Sequence, residues 1–176
     1  KAPNVIILHS LSKIFRIPGL RIGFMVAAPQ IIAQFKRYHQ PWSVNCLAQA
    51  ACEFLLRPDS NVEAFILQTQ RFLENERHRF QELNTSPYFH VFPSATTFVL
   101  IRLSGHITAE ILCSRMLDQK FLLRSCTNFY GLSNRFVRIS LRTSELNRLL
   151  IQSLLRLSAE ISESSSRPQQ ISPVLR

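Results

Sequence analysis

Apolar and polar positions along the chain alternate between short runs and helical spacings. Residues 5–8 form a short apolar run that reads as a buried strand, and residues 24–28 read as a second one. With their flanks these predict strands over 4–9 and 20–27. Pro29 opens a helical stretch to about Tyr38, with Ile31, Ile32 and Phe35 on its apolar face. A second helix over 44–56 stops before Pro58, because the residue preceding a proline disfavours helix. Asp59, Ser60 and Asn61 are N-cap candidates for a long helix to Leu83. Its apolar positions, Phe65, Ile66, Phe72, Leu73 and Phe80, recur at helical spacing opposite Arg71, Glu74 and Arg77.

After a turn at 84–87 the period changes. Strands are predicted at 89–92, 96–101, 121–124 and 136–141, with a short helix over 108–117. A last helix runs from Thr143 to about Ile161, and from Ser162 the composition turns to Ser, Arg, Pro and Gln, as in a frayed tail. No internal repeat occurs. This order predicts an α/β protein in three parts: residues 1–58, a compact domain over 59–162, and a flexible tail over 163–176. Two strands and one helix cannot bury both faces alone, so the first part reads as a piece of something larger with apolar edges open to a partner.

Composition narrows the class. Hydrophobic residues make up 46% of 176, enough for a core. Cys46, Cys52, Cys113 and Cys126 lack CxxC spacing, which argues against a zinc site or a secreted disulfide framework and makes the cytoplasm the default. The five histidines show no metal spacing, so no metal is assigned. No apolar run approaches a membrane span. The net charge of +10 permits nucleic acid as a partner, yet the arginines are dispersed and no lysine-rich tract appears.

The chemistry concentrates in residues 10–23, Ser-Leu-Ser-Lys-Ile-Phe-Arg-Ile-Pro-Gly-Leu-Arg-Ile-Gly. A lysine on a loop between buried strands is placed for desolvation, which lowers an amine's pKa toward a usable nucleophile. Arg21 follows eight residues later, after a Pro-Gly turn, as a doubly donating cation for a phosphate, and Ser10 and Ser12 add donors. This stretch resembles the lysine loop of fold-type I pyridoxal-phosphate enzymes, Ser-x-Ser/Thr-Lys followed by Pro/Ala-Gly-Leu-Arg-x-Gly. The resemblance implies that Lys13 binds the cofactor covalently while Ser10, Ser12 and Arg21 hold its phosphate. It also implies that the chain is the C-terminal portion of such an enzyme, the end of the large domain plus the small α/β domain. The chain alone is then expected to be inactive.

Two further arginines stand apart. Arg124 closes an apolar stretch, and Arg138 lies within Phe-Val-Arg-Ile-Ser. A charge in an apolar strand is costly unless an anion pairs with it, and no acidic residue is near in sequence. The plainer alternative puts Arg138 on the solvent face of an edge strand. Residues 40–51 and 123–132 resemble the branch of the family containing L-threonine-O-3-phosphate decarboxylase, of cobalamin biosynthesis, and histidinol-phosphate aminotransferase.

That resemblance implies a phosphorylated amino acid as substrate, Arg124 and Arg138 as grips for its phosphate and carboxylate, and a homodimeric full-length enzyme. Decarboxylation of L-threonine O-3-phosphate to (R)-1-amino-2-propanol phosphate is the activity it implies, with a histidinol-phosphate transaminase as alternative. A basic binding module without catalysis is the alternative from another class. Asn45 is read as a helix-start polar contact reaching substrate. Trp42, beside Pro41, is read as packing a helix break.

Overall fold

The computed structural model describes residues 3–166, and the chain divides into two compact units, Lys1–Gln68 and Thr69–Arg176. This division falls later than the predicted one after Pro58, inside the long helix. The last ten positions of the predicted tail, 167–176, lie outside the described residues. The final helix continues to Ser166, past the predicted end near Ile161.

The first unit opens with an antiparallel ribbon of β1 (Ile7–Ser10) and β2 (Gly23–Val26), paired Ile7 to Val26 through Ser10 to Gly23. Between them come a one-turn helix, α1 (Leu11–Ile14), and a 3-10 turn at Pro18–Leu20. Helices α2 (Pro29–Lys36) and α3 (Cys46–Leu55) follow. Strand β2 starts later than expected because Leu20 belongs to the 3-10 turn and Arg21 takes a left-handed conformation, φ 54° and ψ 61°. The expected burial of the apolar run is not found: Ile7 is 54% and Leu8 78% exposed. A two-stranded ribbon has one neighbour per strand and covers neither face, so the open apolar surface foreseen for this part is what the unit displays.

Ser60 does not start the next helix. Its hydroxyl donates to the carbonyls of Leu55 (3.0 Å) and Arg57 (2.6 Å), closing the end of α3 instead. Helix α4 (Val62–Phe80) then passes through the unit boundary and tightens into a 3-10 turn at Gln81–Thr85.

The second unit holds a four-stranded antiparallel sheet in the order β3-β4-β6-β5, from β3 (Phe89–Val91), β4 (Phe98–Leu103), β5 (Arg124–Ser125) and β6 (Phe136–Ser140). One face carries Val91, Val99, Ile101, Val137 and Ile139, all buried. They pack with Phe80 of α4, Leu112 and Met116 of α5 (Ala109–Asp118), and Ile151 and Leu154 of α6 (Ser144–Ser166). Strict alternation puts Leu100, Arg102, Phe136 and Arg138 on the other face.

The strand predicted at 121–124 is displaced to Arg124–Ser125. The amides of Lys120 and Phe121 bond the carbonyls of Leu117 and Met116, both at 2.8 Å, with Lys120 left-handed at φ 68°. That is a helix C-terminal lock of the Schellman type, and it draws Phe121 out of any strand. Strand β4 starts later than predicted because the Ser94 hydroxyl donates to the Phe98 carbonyl at 2.6 Å and folds the preceding residues into a turn.

A buried carboxylate holds the junction of β6 and α6. Glu76 of α4 is 1% exposed and accepts from Ser144 Oγ (2.6 Å) and Asn147 Nδ2 (2.8 Å), with Arg79 Nε at 3.4 Å. Asn147 in turn bonds both backbone groups of Arg142. Replacing Glu76 by Ala removes the charged acceptor of the buried Asn147 amide and of Ser144, and we expect a loss of about 3 kcal/mol. Urea unfolding of Glu76→Ala against the wild type measures it.

Candidate active site

In the first unit Lys13 sits on α1, a helical turn rather than the predicted loop. The predicted desolvation is absent, since Lys13 is exposed. Its Nζ lies 3.4 Å from Ser10 Oγ. Ser12 is buried and donates its hydroxyl to the Ile22 carbonyl at 3.2 Å, tying α1 to the entry of β2. Arg21 Nη1 donates to the Pro18 carbonyl at 2.9 Å, which folds the guanidinium back over its own turn.

Gly23 allows this close approach. A Cβ there would stand 2.5 Å from the His9 carbonyl oxygen. Asn45 N-caps α3 through Oδ1, 2.9 Å from the Ala48 amide, and donates Nδ2 to the Leu20 carbonyl at 3.1 Å. Both ends of the amide expected to reach substrate therefore hold the helix start and the turn before Arg21. Trp42 packs no break: it is 96% exposed and left-handed at φ 57°.

Ser10, Ser12 and Arg21 share an open hollow of about 490 Å³ with His9, whose ring stacks on Phe24. Lys13 is not among the lining residues and reaches the hollow's edge through Ser10. A second, mostly apolar hollow of about 510 Å³ lies beside the Phe15–Phe65 stack and lacks this ring of donors.

In the second unit the edge-strand alternative for Arg138 is overturned, because β6 lies between β4 and β5. Arg138 stands directly opposite Arg124 in register. Its Cζ lies 4.9 Å from the Phe98 ring centroid and 5.9 Å from that of Phe129, and Arg124 Cζ is 5.5 Å from Phe129. Arg124 donates to Asn128 Oδ1 at 3.1 Å, while the buried Nε of Arg138 has no partner.

Like charges opposite one another destabilise a sheet, and a buried unpaired donor adds to that cost. An anion between the two guanidinia relieves both. The aromatic platform of Phe98 and Phe129 escaped the sequence reading.

Residues 1–154 match the family described as Aminotransferase class I and II. The chain belongs to that family. It is 35% identical over 154 residues to threonine-phosphate decarboxylase of Salmonella typhimurium, covering 86% of this chain and 41% of that protein. Among solved structures, L-threonine-O-3-phosphate decarboxylase from Porphyromonas gingivalis matches with a TM-score of 0.75 and 34% identity. That match covers 88% of this chain and 47% of that one. Histidinol-phosphate aminotransferase from Clostridium acetobutylicum matches with a TM-score of 0.76 and 30% identity, over 88% and 46%. The chain thus spans less than half the length of these relatives, and its α/β fold is that of fold-type I pyridoxal-phosphate aminotransferase structures over that share. Among the described residues no helix is long and apolar enough to cross a membrane, and no group of His, Cys, Asp and Glu is arranged to hold a metal.

Beneath the arginine pair lies Cys126, 1% exposed. Burial pushes its thiol above the usual range, against the opposing pull of Arg138 and Arg124. A raised folded-state pKa means that the unfolded chain ionises first. Its stabilising contribution is therefore present below the ordinary thiol pKa and is lost as pH rises above it. We expect the wild type to lose more stability between neutral and alkaline pH than Cys126→Ala does, read as the shift in urea midpoint.

Proposed function

We propose that this chain supplies the lysine loop and the substrate-gripping small domain of a pyridoxal-phosphate-dependent decarboxylase acting on L-threonine O-3-phosphate. The product is (R)-1-amino-2-propanol phosphate, an intermediate of cobalamin biosynthesis. One observation carries the reading: the Arg124 and Arg138 guanidinia face each other, the Nε of Arg138 has no partner, and among the described residues neither is paired with a carboxylate. Threonine phosphate brings two anionic groups to such a pair, whereas histidinol phosphate brings one. Identity with the Salmonella decarboxylase supports the same choice.

The donor set of the first unit suits the cofactor. Ser10 and Arg21 both line one hollow, where a phosphate would take the Ser10 hydroxyl and draw the Arg21 guanidinium from the Pro18 carbonyl, and the Lys13 amine stands beside Ser10 for an aldehyde carbon. Ser12 braces this set through Ile22, and Asn45 fixes the turn that carries Arg21. Pyridoxal phosphate, when bound, supplies the sink for the electron pair left on the α-carbon as CO₂ departs. Arg124 and Arg138 choose which α-carbon bond breaks, by fixing the carboxylate and phosphate of the substrate. Lys13, in its ammonium form, would be the acid placed to deliver the proton that replaces CO₂, returning to the neutral amine.

The parent enzyme is proposed as a cytoplasmic homodimer. Free cysteines without metal or disulfide spacing support that compartment. A transaminase acting on histidinol phosphate is the second reading, favoured by the likeness to the Clostridium acetobutylicum enzyme.

Assay of the full-length parent separates the two. CO₂ release from threonine phosphate is expected, and 2-oxoglutarate-dependent turnover of histidinol phosphate in its place would reverse the assignment. Arg138→Ala in the parent should lower kcat/KM by about a hundredfold, the loss of a charge-assisted grip of roughly 3 kcal/mol. For the 176-residue chain itself, borohydride in the presence of pyridoxal phosphate should leave little adduct on Lys13 by peptide mass. A stoichiometric adduct would contradict the expectation that the chain holds the cofactor weakly.

A further inference from the structure

Strand β5 is two residues long, lies at the sheet edge and presents Arg124 against Arg138. The charges on this pair push β5 away from β6, its one strand neighbour among the described residues. On the β6 side, the Cys126 amide donates to the Phe136 carbonyl at 3.0 Å. Antiparallel alternation therefore turns the backbone groups of Leu123 and Ser125 outward, to the edge that no strand occupies.

A thiol from α5 meets that edge. Cys113 Sγ donates to the Leu123 carbonyl at 3.8 Å. Burial and the Glu110 carboxylate push the thiol's pKa up, while the nearby Ser125 amide favours its ionised form. The sulfur thus holds the residue before Arg124, on the edge that no strand among the described residues occupies. Its base is rigid. Leu112 and Met116 flank it on α5, 1% and 0% exposed, and Thr108 caps the helix start. The bond to sulfur is weak, yet it acts on the outer edge of a two-residue strand whose other anchors, Leu123 and Cys126, lie just beyond its ends.

We propose that Cys113 is a positioning residue for Arg124: its thiol clamps the free edge of β5 and keeps Arg124 aligned with Arg138 against their repulsion. The consequence for ligand rests on the reading of that pair as the anion grip, while the clamp itself does not.

Two measurements on the 176-residue chain keep these apart. Amide exchange at Ser125 reads the clamp. Cys113→Ala should speed it about tenfold, with Cys113→Ser near the wild type, and with exchange at Val99 and Val137 in the core unchanged. Binding of inorganic phosphate, followed by calorimetry, reads the pair. Cys113→Ala should weaken it about fivefold in the wild type and not at all in an Arg124→Ala background, as coupled residues do.

Unchanged exchange at Ser125 in Cys113→Ala would overturn the clamp. Faster exchange at Ser125 matched by equal acceleration throughout the core would reduce Cys113 to a packing residue and overturn it as well. Wild-type chain that fails to bind phosphate would overturn the anion reading and leave the exchange result to decide the clamp.

Discussion

Two guanidinium groups held opposite one another on an open sheet face are the constraint on which the second unit turns. Arg124 and Arg138 are cross-strand partners, and no carboxylate lies on their face among Leu100, Arg102, Phe98 and Phe136. Such an arrangement costs stability in the free chain. The fold bears that cost through a core on the opposite face, where Val99, Ile101, Val137 and Ile139 pack against three helices. The Phe98 and Phe129 rings lie beneath the charges and return part of the lost solvation. The buried Glu76, bonded to Ser144 and Asn147, fixes the chain just after Arg138, so the strand cannot slide to relax the pair. Stability on one face thus maintains an unfavourable charge pattern on the other, which is the usual physical relation between a scaffold and a binding site.

The first unit has a different economy. Its ribbon leaves Ile7 and Leu8 in solvent, and its lysine is exposed. Local bonds give the lysine loop its shape nonetheless. Ser12 reaches the Ile22 carbonyl, Asn45 reaches the Leu20 carbonyl, and Gly23 lets two backbones touch where no other residue fits. The loop is preorganised by these local bonds and by burial of Leu11 and Ser12 on α1, while the lysine amine stays outside. Such contacts survive in a short segment, whereas desolvation of an amine requires walls on every side.

Much of this was legible in the sequence. The stretch holding Ser10, Lys13 and Arg21 carried the resemblance to the family, and the helix starts at Asn45 and Thr108 follow from their capping side chains. What escaped has physical causes. The helix lock at Lys120 displaced a strand because a lysine took the left-handed position that sequence reasoning reserves for glycine or asparagine. Burial of residues 5–8 was read from their hydrophobicity, but burial depends on what covers a strand, and hydrophobicity reports only what the strand requires. The pairing of Arg124 with Arg138 was hidden because register is a property of two strands, and the sequence separates them by a loop holding Phe129 and Asn128. Glu76 was lost among the charged positions of a long amphipathic helix, and only its distant partners mark it as buried.

The central claim is that Arg124 and Arg138 close on one anionic ligand. Nitrogen-15 NMR of the arginine Nε–H groups during titration with O-phospho-L-threonine tests it most directly. The account predicts that the resonances of Arg124 and Arg138 move together along one saturation curve, with the unpartnered Nε of Arg138 shifting furthest. If those two stay fixed while arginines elsewhere in the chain respond, the pair is not the grip and the account is wrong.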